Sequence, residues 1–188
     1  MRLATILVDG GPVVFVLEGD WALAIDDGSS MRDVAASGPE GLARLSAWVD
    51  ARPDGSFQPM TAVAYGPAVP DPGAIYTFGL NYRPPGVDAA RDHDRPPRPL
   101  VYGKLPTSVA GEGTILRWDP DLTMDVDAEV ELGVVVGVDG AVFGYTIVND
   151  VSSRDPWLDG DQWLLGKSMP GFCPVGPVVV TADELDPT

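Results

Sequence analysis

The 188-residue chain has one cysteine, one histidine, few basic side chains and no long apolar run, and each shortage narrows what it can be. Cys173 on its own excludes an intramolecular disulfide and reads as a small buried apolar residue. With His93 as the lone imidazole, a zinc site built from the histidines or cysteines of one chain is ruled out. No segment approaches the ~18 consecutive apolar residues of a membrane-spanning helix, and the opening MRLATILVDGG is too short in apolar residues for the core of a signal peptide. A cytoplasmic protein is expected. Twelve Lys and Arg against 28 Asp and Glu give a formal charge of −16 and an isoelectric point near 4.1. That balance argues against nucleic acid and anionic membrane as partners and favours cations.

Hydrophobic residues make up 45% of the chain, enough for one globular domain or a small lobe joined to a larger one. Leu3 to Val8 and Pro12 to Glu18 are strand-like runs around Asp9-Gly10-Gly11, a tight-turn composition, and a third run follows at Trp21 to Ile25. Ser37-Gly38-Pro39-Glu40 reads as a helix start, with Ser37 as the capping hydroxyl, ahead of Leu42, Leu45, Trp48 and Val49. The predicted organisation is a small α/β lobe over 1–65, a Pro/Gly-rich linker over 66–73, and a strand-rich part over 74–188. Strands are predicted in that part at Ala74 to Gly79, Leu100 to Lys104, Thr114 to Trp118, Ala128 to Val138, Val142 to Val148 and Val175 to Thr181. The proline-rich stretch between Tyr82 and Pro99 reads as a surface loop suited to a lid.

The most informative segment is DVDAEVELGVVVG, residues 125–137, where acids alternate with apolar residues. On an extended strand Glu129 and Glu131 share one face, close enough to hold one cation; the competing reading is a solvated edge-strand face. Against that competitor, Leu132 to Val136 predict a strand entering a core, where an uncompensated carboxylate is very unfavourable. Asp150 ends the run that Asp139-Gly140 turns back alongside, and it is placed to bring a third carboxylate. An oxygen-seeking ion such as Mg²⁺ or Mn²⁺ suits such a set.

In order along the chain, Val69-Pro70-Asp71-Pro72-Gly73, Phe78-Gly79-Leu80-Asn81-Tyr82-Arg83, Lys104 with Pro106-Thr107-Ser108, Glu129-Val130-Glu131-Leu132, Asn149-Asp150-Val151-Ser152-Ser153-Arg154-Asp155 and Gly166-Lys167-Ser168 resemble the fumarylacetoacetate hydrolase family. The resemblance implies a mainly β (α+β) fold, a mixed β-sheet roll with a small N-terminal α/β lobe. It implies Mg²⁺ or Mn²⁺ held by Glu129, Glu131 and Asp150, with Lys167 holding or polarising a small 2-oxo or 2,4-dioxo acid. Tyr82, Arg83 and Lys104 fall at substrate-binding positions, although Lys104 reads equally as a strand-end surface lysine. Arg154 and Asp155 are expected to form a structural ion pair behind the carboxylates.

The family's base histidine and glutamate fall here on Pro85 and Asp88, so Asp88 is the candidate base, and only if burial raises its pKa. His93 reads as a displaced base or, more simply, a surface residue. Met169-Pro170 replaces an expected Phe-Asp. The family's catalytic lobe ordinarily continues for about a hundred residues past the point matching Thr188, so 74–188 reads as an incomplete catalytic domain. The expected function is metal-dependent C–C hydrolysis, decarboxylation or isomerisation of a small oxo acid or its enol. The alternative is an accessory subunit paired with a full-length relative. A homodimer, or a heteromer with a longer homologue, is the expected assembly.

Overall fold

The computed structural model describes residues 1–187 other than 10, 54, 62 and 82–97. β1 (Arg2–Val8), β2 (Gly11–Glu18) and β3 (Trp21–Ala24) form an antiparallel meander where the apolar alternation predicts it. Val8 lies opposite Gly11, whose φ of 130° is one that side chains disfavour, so the turn composition does what it predicts.

Two helices follow, α1 (Met31–Ala36) and α2 (Gly38–Asp50). The cap differs from expectation. Ser37 makes no capping bond; its hydroxyl donates back to the Val34 carbonyl at 2.7 Å, because Ser37 already closes α1. The capping box belongs to α1: the Ser30 hydroxyl accepts from the Asp33 amide at 3.2 Å, and the Asp33 carboxylate accepts from the Ser30 amide at 2.9 Å. Six residues are too few to show helical periodicity, so α1 escapes a pattern search.

The chain continues through β4 (Gln58–Pro59), β5 (Ala64–Tyr65), β6 (Ile75–Gly79), β7 (Leu100–Lys104), β8 (Val109–Ala110), β9 (Val126–Asp127), β10 (Val130–Val136) and β11 (Val142–Asn149). It ends with β12 (Ser152–Ser153), α3 (Pro156–Asp161), α4 (Trp163–Lys167), β13 (Cys173–Pro174) and β14 (Val178–Thr181). Among the described residues the principal sheet has eight strands in the order β10-β11-β14-β1-β2-β3-β4, with β5 also paired to β1. The first strand thus lies against the last, Leu3 opposite Val179. The mainly β, α+β class is the one the sequence predicts.

The main core lies between this sheet and the two helices: Leu3, Val14, Val16, Phe143 and Val179 meet Met31, Val34 and Ala35. Ala68, fully buried, is sewn into it by its amide on the Val175 carbonyl and its carbonyl under the Thr5 hydroxyl. A second cluster of Val151, Leu158, Met169 and Phe172 lies behind the carboxylate segment.

Two expectations change here. Thr114 to Trp118 is not a strand. Only part of its apolar surface packs: Leu116 lies on the second cluster and Trp118 meets the Phe172 ring edge-on at 6.3 Å, whereas Ile115 is exposed. β10 enters a core on one face only. Glu131, Gly133 and Val135 turn inward, whereas Val130, Leu132, Val134 and Val136 are exposed, Val130 at 78%. β10 is the terminal strand of the sheet, and the helices cover only the opposite face.

Candidate metal centre

The β10–β11 hairpin builds the centre. Antiparallel register sets Glu131 opposite Val148 and Val130 opposite Asn149, so the end of β11 arrives beside the start of β10. The Asp150 amide donates to the Glu129 carbonyl at 2.8 Å, and the Glu129 amide donates to the Asn149 side chain at 3.0 Å. Glu129 and Glu131, two apart on an extended chain, therefore face Asp150. One oxygen from each of the three carboxylates lies within 4.8 Å of the others. Nothing else among the described residues groups three metal-binding side chains in this way.

Asp150 is fully buried, and both its oxygens are held. Lys104 Nζ donates to Oδ1 at 2.6 Å and to the Val151 carbonyl at 3.0 Å. The Tyr102 hydroxyl donates to Oδ2 at 2.7 Å, and Lys167 Nζ donates to the same oxygen at 2.9 Å. Tyr102 and Lys104 can act together because residues two apart on β7 share a face. Lys167, the last residue of α4, also donates to Glu129 Oε2 at 2.9 Å and to the Ser152 hydroxyl at 2.6 Å. Its ammonium stands 4.8 Å from the centre of the Tyr102 ring, which meets Trp163 edge-on at 5.3 Å. Arg154 closes the outer side on Glu129 Oε1, with Asp127 at 3.2 Å and Asp159 at 3.6 Å.

These contacts divide the carboxylates electrostatically. Burial pushes Asp150 up, but the charge of Lys104 and the hydrogen bonds from Lys104, Lys167 and Tyr102 outweigh it and hold the group below the usual aspartate value. Glu129 is likewise opposed by burial, yet held below its ordinary value by Lys167. Glu131 goes the other way: burial raises it, and the charges of Asp150 and Glu129 raise it further. Among the described residues its carboxylate has no hydrogen-bond donor. The lysines separate too. Burial dominates at Lys104 and lowers its pKa, whereas at Lys167 burial is overcome by Glu129 and Asp150 and the ammonium is held above the ordinary lysine value. An acid-rich cluster with one undonated, half-buried carboxylate is deficient in positive charge at that spot. Hard oxygen donors of this kind fit a divalent ion such as Mg²⁺ or Mn²⁺.

The structure brings together Glu129, Glu131, Asp150, Lys104 and Lys167. Lys104 is not a surface lysine; it is 3% exposed and grips an aspartate. Arg154 does not pair with Asp155. It turns to Glu129, Asp127 and Asp159, while Asp155 accepts from the hydroxyls of Thr123 and Ser153. Tyr82, Arg83, Pro85, Asp88 and His93 lie outside the described residues. Tyr102 and Ser152 are partners that the motif reading passed over. One signal pointed to part of this: the chain contains ten arginines but only two lysines, and both lysines are at the centre.

Comparison with known proteins places this geometry in a family. The profile described as "Fumarylacetoacetate (FAA) hydrolase C-terminal" matches residues 74–188, and the chain belongs to the fumarylacetoacetate hydrolase family. The oxaloacetate tautomerase YisK of Bacillus subtilis is 36% identical, over 73% of this chain and 50% of the relative. The fumarylacetoacetate hydrolase of Exiguobacterium antarcticum superposes with a TM-score of 0.77 at 27% identity, covering all of this chain and 69% of that one. The maleylpyruvate hydrolase of Sphingobium sp. SYK-6, solved with manganese(II) and pyruvate, gives a TM-score of 0.72 over 99% of this chain and 69% of that one. At 23% identity this last likeness speaks for the fold alone. The chain spans about half the length of the curated relatives it matches. No described helix is long and apolar enough to cross a membrane.

Proposed function

We propose that the chain is a divalent-metal-dependent enzyme acting on a small 2-oxo or 2,4-dioxo acid, with keto–enol tautomerisation the reaction favoured among the family's enolate chemistries. The observation that carries this is the set of Glu129, Glu131 and Asp150 oxygens within 4.8 Å of one another beside a buried lysine. The activity of the 36% identical relative, an oxaloacetate tautomerase, supports the same class of substrate. Glu129, Glu131 and Asp150 are the proposed ligands of Mg²⁺ or Mn²⁺. Such an ion, when bound, supplies Lewis acidity to an enolate oxygen.

The chain's own residues do the rest. Lys104 and Tyr102 fix the two oxygens of Asp150 from β7, so that this ligand arrives oriented. Lys167 brings a second positive charge to the space where enolate charge develops, in a site half removed from water. Pro85 stands where a base histidine is expected, which favours a reaction that moves a proton without activating water for hydrolysis. Tyr82, Arg83 and Asp88 are proposed to contact substrate. A homodimer in the cytoplasm completes the proposal.

Following the ultraviolet absorbance of the oxaloacetate enol with Mg²⁺ or Mn²⁺ present tests it. Enol–keto exchange faster than in buffer, lost on chelation and in Glu131→Ala, is expected. A Glu131→Ala protein with unchanged metal affinity and turnover overturns the reading.

A further inference from the structure

We propose that Lys167 is the resident counter-ion of the centre, that an entering divalent ion exchanges with it, and that the released ammonium couples metal binding to anion binding. The inference rests on the metal reading above and goes further, to the order of events. Lys167 Nζ lies 2.9 Å from Glu129 Oε2 and 2.9 Å from Asp150 Oδ2. Those carboxylates are two of the three ligands a metal would take. Ion and ammonium compete for the same electron pairs, and they repel at such distances in a poorly hydrated site.

Among the described residues, every charged group that faces Lys167 fits this scheme, Arg154 remaining on the other oxygen of Glu129. Glu129 and Asp150 hold it, Ser152 accepts from it, and the Tyr102 ring lies beside it. Lys104, locked on the far oxygen of Asp150 and on the Val151 carbonyl with its side chain fully buried, is the cation that stays. With Arg154 and its other partners Asp127 and Asp159 included, five carboxylates face three cations and leave two units of negative charge, and the chain as a whole carries −16, so the metal-free centre repels anions. A divalent ion cancels that surplus and removes the repulsion. At the same moment the displaced ammonium loses its carboxylate partners and needs another anion. Metal first and anion second is the order this charge balance imposes, and the coupling is reciprocal.

The chain is well suited to the test. Lys104, Lys167 and the N-terminal amine are its only amines. Brief acetylation of the metal-free 188-residue protein, read by mass spectrometry, is expected to leave Lys167 protected. Mn²⁺ raises its labelling several-fold, and oxalate then lowers it. Calorimetry at pH 8 gives the second readout: oxalate alone does not bind, and saturating oxalate tightens Mn²⁺ by about tenfold or more. In Lys167→Met, Mn²⁺ binds about fivefold or more tightly than in the wild type without oxalate, because the competitor is gone, and the gain from oxalate shrinks. A folded Lys167→Met, checked by circular dichroism, that binds Mn²⁺ no more tightly overturns the exchange. Labelling of wild-type Lys167 that ignores Mn²⁺ does so without any variant. If the wild type binds Mn²⁺ and these two signals fail, only the exchange falls. If it binds no Mn²⁺, the metal reading falls with it.

Discussion

The three carboxylates of the centre are not equivalent, because among the described residues Glu131 alone lacks a donor while Asp150 has three and Glu129 is held by Lys167, Ser152 and Arg154. A metal needs all three ionised, so the proton that competes with it sits on Glu131. Its pKa lies above the ordinary 4.5, those of the other two below their own ordinary values. Mn²⁺ affinity should therefore fall as pH drops through the raised Glu131 value, with Asp150 and Glu129 still charged. Titrations at pH 5 and pH 8 check this: weaker binding at pH 5 in the wild type, and weaker but flatter binding in Glu131→Gln. An equally steep dependence in Glu131→Gln would assign the proton elsewhere. The linkage to folding runs in opposite senses. Asp150 contributes stability that is present above 3.8 and is lost as pH falls through its lowered value. Glu131 favours the fold on the acid side, and that advantage is lost as pH rises from 4.5 through its raised value. At this scale the acids were legible, since alternation on a strand is a two-residue rule. Tyr102, Ser152 and the partner of Lys104 were not, because they meet only when β7, β12 and α4 close around Asp150.

Among the elements, the β10–β11 hairpin decides whether the centre exists, and its other edge leans on β14. Gly144 is the tight point there. A Cβ on it would stand 2.4 Å from the Val180 carbonyl oxygen and 3.1 Å from the Thr181 Cα, backbone atoms that cannot swing aside. Gly144→Ala should destabilise the protein by about 1–3 kcal/mol, the usual penalty of overpacking, visible as a lower midpoint in urea. Because the strain enters through β11, Mn²⁺ affinity should weaken in the same variant; unchanged stability would show that β11 and β14 part freely. The hairpin was readable from its apolar runs and from Asp139-Gly140, where Gly140 adopts φ 76°. α3 and α4 were not, at six and five residues between prolines and glycines. Thr114 to Trp118 shows the converse error: a short apolar run reads as a strand whether or not a neighbouring strand offers hydrogen bonds, and here only Leu116 is half-buried.

Over the whole molecule, charge is divided by residue type as well as by sign. Arginine supplies the exposed positive charge, as at Arg44 with its side chain 71% exposed, whereas both lysines are withdrawn from solvent, their side chains 0% and 7% exposed. Arginine keeps its charge at any working pH, while a lysine in a dry site responds to its neighbours. This division has a practical outcome in proteolysis. An endoprotease specific for lysine finds both of its bonds shut while the fold is intact, so its rate reports how often the centre opens. Mn²⁺ with oxalate should slow that cleavage, and an arginine-specific protease should continue to cut at exposed sites such as Arg44. The molecule thus carries a built-in clock for the opening of its own reaction centre, written in the choice between two basic amino acids.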